Sequence, residues 1–204
     1  MTDLRLAIFD VDGTLVDCQA DVLGAMAAVF AEIGVPVPPR EVVLGTVGLC
    51  LPQALARLAP DQTPDALARM ERTYRAACAD LRRGLGSVPL YPGIEDLLRR
   101  LSQDESLLLG IATGKSRRGL TALLDQHELA KLFVTMQCAD DHPGKPNPSM
   151  VLTALAETGV DADNAVMIGD SHHDIQMAKA AGVASIGVAW GYQPSQSLRH
   201  ANLV

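Results

Sequence analysis

Apolar residues gather into five short runs: residues 4–9 (LRLAIF), 106–112 (SLLLGIA), 132–138 (LFVTMQC), 165–169 (AVMIG) and 183–189 (VASIGVA). Turn-forming or polar residues bound them. Their apolar character is continuous rather than alternating, which predicts strands covered on both faces, as in a parallel sheet. Before or between them lie stretches with apolar positions three or four apart. These predict helices over residues 92–101, 116–126, 148–158 and 173–181.

The chain between the first run and the second has another texture. Val22, Met26, Val29, Phe30 and Ile33 recur at helical spacing, and Gly34 with Pro36, Pro38 and Pro39 ends that helix. Residues 51–58 and 65–83 predict two further helices. Gly84, Gly86 and Pro89 read as the hinge that returns the chain to the strand–helix alternation. The economical arrangement is an open α/β sheet with a helical insertion after its first strand. Residues 1–17 and 87–204 would form the α/β core, and residues 18–86 the insertion.

Composition narrows the function classes. The 204 residues suit one domain, or a domain with a modest insertion, and can bury a core without disulfide or metal staples. The formal net charge of -7 argues against a nucleic-acid binder, which needs a basic footprint. With aromatics at 3%, stacking platforms for single strands are not expected either. No apolar run approaches the ~18–20 residues that cross a bilayer, so no membrane partner is expected. No secretory signal pattern opens the chain. Cys18, Cys50, Cys78 and Cys138 form no CxxC pair or zinc-ligand spacing, and read as reduced thiols in a cytoplasmic protein.

Four strand ends carry candidate chemistry. The first run ends in Asp10-Val11-Asp12-Gly13-Thr14. Two carboxylates at a buried strand end are costly unless something compensates their charge, and a divalent cation is the simplest compensation. Asp and Gly are also ordinary turn residues. The second run leads into Thr113-Gly114, a hydroxyl and an amide that can donate to phosphate oxygens. Lys145, set among Pro143, Gly144 and Pro146 just before a helix, is either a surface lysine or a cation shared by a carboxylate and a phosphate. The fourth run leads into Asp170, with Asp174 four residues on. Asp174 either complements the dipole of the next helix or helps to orient a metal.

Residues 10–14 (DVDGT), Thr113-Gly114, Lys145 and residues 169–174 (GDSHHD), in that order, resemble the haloacid dehalogenase superfamily. The likeness covers nearly the whole chain. It is strongest to the phosphoglycolate phosphatase-like branch, whose return from insertion to core also resembles Leu90-Tyr91-Pro92-Gly93. The resemblance implies a Rossmann-like open parallel sheet with a helical cap domain inserted after the first strand. It implies an Mg²⁺-dependent phosphatase acting on a small phosphorylated metabolite through an aspartyl-phosphate. Asp10 would be the nucleophile and Asp12 the general acid and base. Thr113, Gly114 and Lys145 would bind the phosphoryl group. Asp10, the Asp12 backbone carbonyl and Asp170 would hold Mg²⁺, with Asp174 in support.

Details refine this reading. The dehalogenases of the superfamily lack an acid at the position of Asp12, which argues against dehalogenation. Gly169-Asp170 resembles phosphatases more than sugar phosphomutases, but a phosphomutase and a non-catalytic ligand-binding protein stay open as alternatives. His172 and His173 read as polar residues of an exposed loop, and Arg117 and Arg118 as a solvated helix face. Residues 45–51 (GTVGLCL) suggest a turn facing the site. The stretch after the last strand is short for this branch, so terminal elements usual there are expected to be missing. The substrate could be phosphoglycolate, a sugar phosphate, a nucleotide or pyrophosphate, and the chain a monomer or homodimer. Residues 18–86 hold seven acids and seven bases, so the whole -7 falls on the core.

Overall fold

The computed structural model describes residues 4–85 and 88–204. The chain opens with β1 (Arg5–Phe9) and then makes four helices before returning: α1 (Gln19–Glu32), α2 (Arg40–Leu44), α3 (Leu51–Leu58) and α4 (Pro64–Leu85). Alternation follows, through α5 (Ile94–Leu101), β2 (Leu107–Thr113), α6 (Arg117–Gln126), β3 (Thr135–Cys138), α7 (Ser149–Thr158), β4 (Ala165–Gly169), α8 (His172–Ala180) and β5 (Ala184–Gly187). The five strands form one parallel sheet in the order β3-β2-β1-β4-β5. β1 is therefore central, and its carboxyl end lies beside those of β2 and β4. This is the expected Rossmann-like α/β core, and its crevice lies where ligands of open α/β sheets bind.

Period-two geometry explains the double cover. In β1, Leu6 and Ile8 point to a cluster with Met150, Val151, Met167 and Met177. Ala7 and Phe9 point to the other face, with Leu98, Leu109, Ile111 and Leu120. That second cluster continues into the inserted helices through Met26, Phe30, Leu55 and Met70, so the insertion rests on the sheet's apolar surface. No helix among the described residues is long and apolar enough to cross a membrane.

The differences from the sequence reading are local. The third strand begins only at Thr135, because Ala130–Leu132 closes into a 3-10 turn. α8 starts one residue early, at His172, because Ser171 caps it. α2 is unanticipated: this five-residue helix follows Pro39, its N-cap, directly after the residues read as a breaker. Gly84 lies in α4, which runs on through Leu85, so it is no hinge. Gly86 falls outside the described residues. The crossing points themselves are well tied: the Asp17 amide donates to the Pro89 carbonyl at 3.0 Å, and the Tyr91 amide to that of Leu15 at 3.0 Å. Val16 and Leu90 thus pair as an antiparallel bridge.

Candidate active site

Asp10 follows the last residue of central β1 and is buried. The loop between β3 and α7 delivers Lys145 beneath it. Lys145 Nζ lies 2.8 Å from Asp10 Oδ1 and 2.6 Å from Asp174 Oδ1, and all three side chains are at most 1% exposed. Its loop is braced by His142, whose ring meets Gln137 Oε1 and Ser149 Oγ at 2.8 Å each. Asp170 follows β4. It accepts hydrogen bonds from the Thr14 hydroxyl (3.3 Å) and the Tyr192 amide (2.9 Å). Gly13, at φ 85°, faces this carboxylate so closely that any side-chain carbon there would collide with it.

Asp174 takes the helix-start role foreseen for it. It occupies the third position of α8, and its Oδ2 accepts from the Ser171 amide (3.1 Å) and hydroxyl (2.6 Å) in a capping box. Its other oxygen takes Lys145. Both oxygens are engaged, so Asp174 supports the cluster more than it offers free ligands.

Oxygens of Asp10, Asp170 and Asp174 lie within 4.8 Å of one another, all buried. Three carboxylates with one lysine leave a local charge of -2. Asp10's oxygens receive no well-directed hydrogen bond, the lysine charge being their contact. Such a set fits a hard divalent cation. Burial pushes the Asp10 carboxyl up to about 8, against the pull of Lys145, with Asp174 and Asp170 adding to the rise. Burial, then Asp174, raises Asp170 to about 7. Burial disfavours the Lys145 charge, yet Asp10 and Asp174 outweigh it and hold the ammonium above its usual range.

The Asp12 side chain is not in this cluster. It turns towards Lys115, whose Nζ lies 2.8 Å from Asp12 Oδ1. Thr113 is the last residue of β2 and is buried, its hydroxyl accepting from the Lys115 amide at 3.2 Å. Gly114 sits under the 46–50 loop: a side-chain carbon there would lie 2.7 Å from the Leu49 carbonyl oxygen. The seven residues singled out in the sequence therefore gather at the carboxyl end of the sheet: Asp10, Lys145, Asp170 and Asp174 in a buried cluster, and Asp12, Thr113 and Gly114 along the crevice that Asp10 also lines.

Sequence reading missed Lys115, although it adjoins Thr113-Gly114, because a lysine after a strand resembles any solvated lysine. It also missed Tyr192, whose amide holds Asp170 and whose phenol oxygen accepts from the Cys18 amide at 2.6 Å. No local signal announces contacts more than twenty residues away. His173 differs from expectation. It is buried against the 46–50 loop, with no hydrogen bond to its ring nitrogens, and burial followed by the neighbouring His172 lowers it to about 4. Arg117 and Arg118 are exposed, as read, and Arg117 pairs with Asp141. The four cysteines are free thiols.

Between the crevice and the inserted helices lies a cavity of about 540 Å³. Asp10, Asp12 and Lys115 line its floor, and Val22, Met26 and Tyr74 its roof. A buried acidic cluster that fits a cation thus opens through Asp10 onto this cavity, with Asp12 at its edge.

Comparison with known proteins agrees with this geometry. A model of haloacid dehalogenase-like hydrolases matches residues 7–188. A protein of Dickeya dadantii (strain 3937) named probable phosphatase IndB is 34% identical over 199 residues, covering 96% of this chain and 86% of that protein. A phosphoglycolate phosphatase of Pseudomonas savastanoi pv. phaseolicola is 31% identical over 205 residues, covering 97% of this chain and 74% of the relative. Among solved structures, a haloacid dehalogenase-like family hydrolase from Streptococcus pneumoniae superposes with a TM-score of 0.84 at 26% identity, covering 100% and 94% of the two chains.

Proposed function

The chain belongs to the haloacid dehalogenase-like hydrolases, and from that premise and the site's geometry we propose that it is an Mg²⁺-dependent phosphatase of small phosphate monoesters. The observation that carries the reading is Lys145, buried without exposure and bridging Asp10 and Asp174. An ammonium so placed offsets the negative charge of Asp10, which lines the cavity and would otherwise repel a dianionic phosphate.

In the proposed reaction Asp10 attacks phosphorus, and the bond from phosphorus to the ester oxygen breaks. Asp12 gives its proton to that oxygen as the alcohol leaves. Asp12 then takes a proton from water, the water oxygen attacks phosphorus, and the bond to Asp10 breaks. Carboxylate and acid are thus restored. Thr113, Gly114 and Lys145 hold the phosphoryl oxygens, so that positioning and charge, the main sources of catalysis in phosphoryl transfer, come from fixed groups. Asp10, the Asp12 backbone carbonyl and Asp170, with Asp174 behind them, would hold Mg²⁺, which supplies charge neutralisation between nucleophile and phosphate. The helices of residues 18–86 act as a cap that excludes bulk water.

The test is hydrolysis of p-nitrophenyl phosphate by purified protein. Turnover is expected with Mg²⁺, none with chelator, and none from Asp10→Asn. An Asp10→Asn variant of undiminished activity would overturn the mechanism.

A further inference from the structure

The phosphatase reading leaves the alcohol half of the substrate open, and the cavity constrains it. The cap is docked on the core through a shared apolar cluster, and the cavity lies between them. Three glycines mark the seam. A side-chain carbon at Gly114 would run into the Leu49 and Gly48 carbonyls, one at Gly144 into Gln53 and Cys50, and one at Gly48 would approach Ser171 Oγ at 3.1 Å. At these glycines the 46–53 segment lies close over the core, so the cavity between them has the size that the docked cap leaves.

That volume is about 540 Å³. It falls within the ~300–1,000 Å³ of pockets that enclose drug-sized ligands. At ~30 Å³ for each water it corresponds to about 18 waters. A two-carbon phosphate of about nine non-hydrogen atoms would displace only about a third of them. The rest would stay beside the reacting phosphorus, against the purpose of a cap.

The walls point the same way. Val22 and Met26 from α1, Val47 and Leu49 from the loop, and Tyr74 from α4 give an apolar, partly aromatic surface facing Asp10 and Asp12. The basic side chains lining the cavity are Lys115, Arg75 and Arg118. Lys115 is held by Asp12 at 2.8 Å, Arg75 by Glu71 at 2.6 Å, and Arg118 is an exposed residue of α6. Asp21 and Glu71 also line the cavity. Apart from the exposed Arg118, a carboxylate two carbons from phosphorus would meet apolar walls, paired cations and the acids Asp21 and Glu71, whereas an uncharged ring would find surface to cover.

We infer that the substrate is a ring-bearing phosphate monoester, of monosaccharide or nucleoside size, rather than a two-carbon acid phosphate; this rests on the phosphatase reading above. The ring's faces lie against Met26, Val47 and Tyr74, and its burial expels the water that a smaller substrate would leave behind.

The experiment compares kcat/KM for a hexose 6-phosphate, a ribonucleoside 5′-monophosphate and phosphoglycolate, with p-nitrophenyl phosphate as a generic control. At least one ring substrate is expected to exceed phosphoglycolate tenfold or more. Ala79→Phe, which projects a new ring from α4 into the cavity, is expected to lower that ratio at least fivefold. A kcat/KM for phosphoglycolate equal to or above both ring substrates overturns the inference, as does a ratio unmoved by Ala79→Phe. Asp10-dependent turnover of p-nitrophenyl phosphate in the same preparation then shows that the phosphatase reading survives. Absence of turnover on every ester overturns both.

Discussion

Replacing Lys145 by methionine removes one charge and little volume from the most buried part of the site. In the native protein that ammonium stands 2.8 Å from Asp10 and 2.6 Å from Asp174, and no side chain of the trio is more than 1% exposed. Breaking a buried pair by removing one partner costs about 3–5 kcal/mol, because the charge left behind has neither water nor a counter-ion. For a chain of this size each kcal/mol is worth roughly 2–4 °C in Tm. Lys145→Met is therefore expected to lower the Tm of metal-free protein by about 10 °C at pH 8. The loss must shrink as pH falls. Asp10 has a folded-state pKa of about 8, above the 3.8 of an ordinary aspartate. Its burden on the folded state is absent below about pH 4, grows between pH 4 and 8, and is larger once the lysine is gone. Added Mg²⁺ at about 100 times its Kd restores about 2.7 kcal/mol. Thermal unfolding followed by circular dichroism at pH 5 and pH 8, with and without chelator, makes the measurement. Arg5→Met is the control, since the Arg5–Asp104 pair is solvent-exposed and screened, and its loss should leave Tm unchanged. A loss below about 2 °C for Lys145→Met at pH 8, or one equal at the two pH values, would refute the reasoning.

Metal binding should be linked to protons. Asp10 and Asp170 lie at about 8 and about 7 without metal, so Mg²⁺ must displace protons and its affinity should climb from pH 6 to pH 8; titration calorimetry in two buffers of different ionisation enthalpy should detect the release, and a flat affinity contradicts it. Lys115→Gln removes the cation that holds the Asp12 side chain at 2.8 Å and should lower kcat/KM on p-nitrophenyl phosphate at least fivefold while Tm changes little; an unchanged kcat/KM would mean that Lys115 does not position Asp12. Gly114→Ala places a methyl against the Leu49 and Gly48 carbonyls and should lower kcat/KM on p-nitrophenyl phosphate at least tenfold, while Tm changes little, because the clash is relieved by lifting the cap. Equal kcat/KM would mean that closure over Gly114 is not needed for turnover.

The sheet was legible because each strand writes both its faces into the sequence. Leu6 and Ile8 serve one cluster and Phe9 the other, so β1 reads as an unbroken apolar run whatever its neighbours. The chemistry was legible for a related reason: an acid at the end of such a run stands out against it, as Asp10 and Asp170 do. What escaped was set by distance along the chain. Tyr192 grips Asp170 by its amide and the Cys18 amide by its phenol oxygen, and neither partner is announced near residue 192. His173 was misread because polarity was taken as exposure, whereas the 46–50 loop covers it. The cap boundaries read from composition remain a proposal at the return side, where α4 carries the helix past Gly84.

The bridge between Val16 and Leu90 has a consequence for how such a molecule can change over time. The chain leaves the sheet and comes back at adjacent points that are hydrogen-bonded to each other. The ends of the excursion are thus joined whatever runs between them. Extra residues in a loop whose ends already meet cost only slowly with length, about 0.6 kcal/mol for each doubling. The roof over Asp10 can lengthen, shrink or be exchanged while the sheet that aims Asp10, Lys145 and Asp170 keeps its register. Descent can therefore alter which alcohol is admitted without disturbing the groups that act on its phosphate.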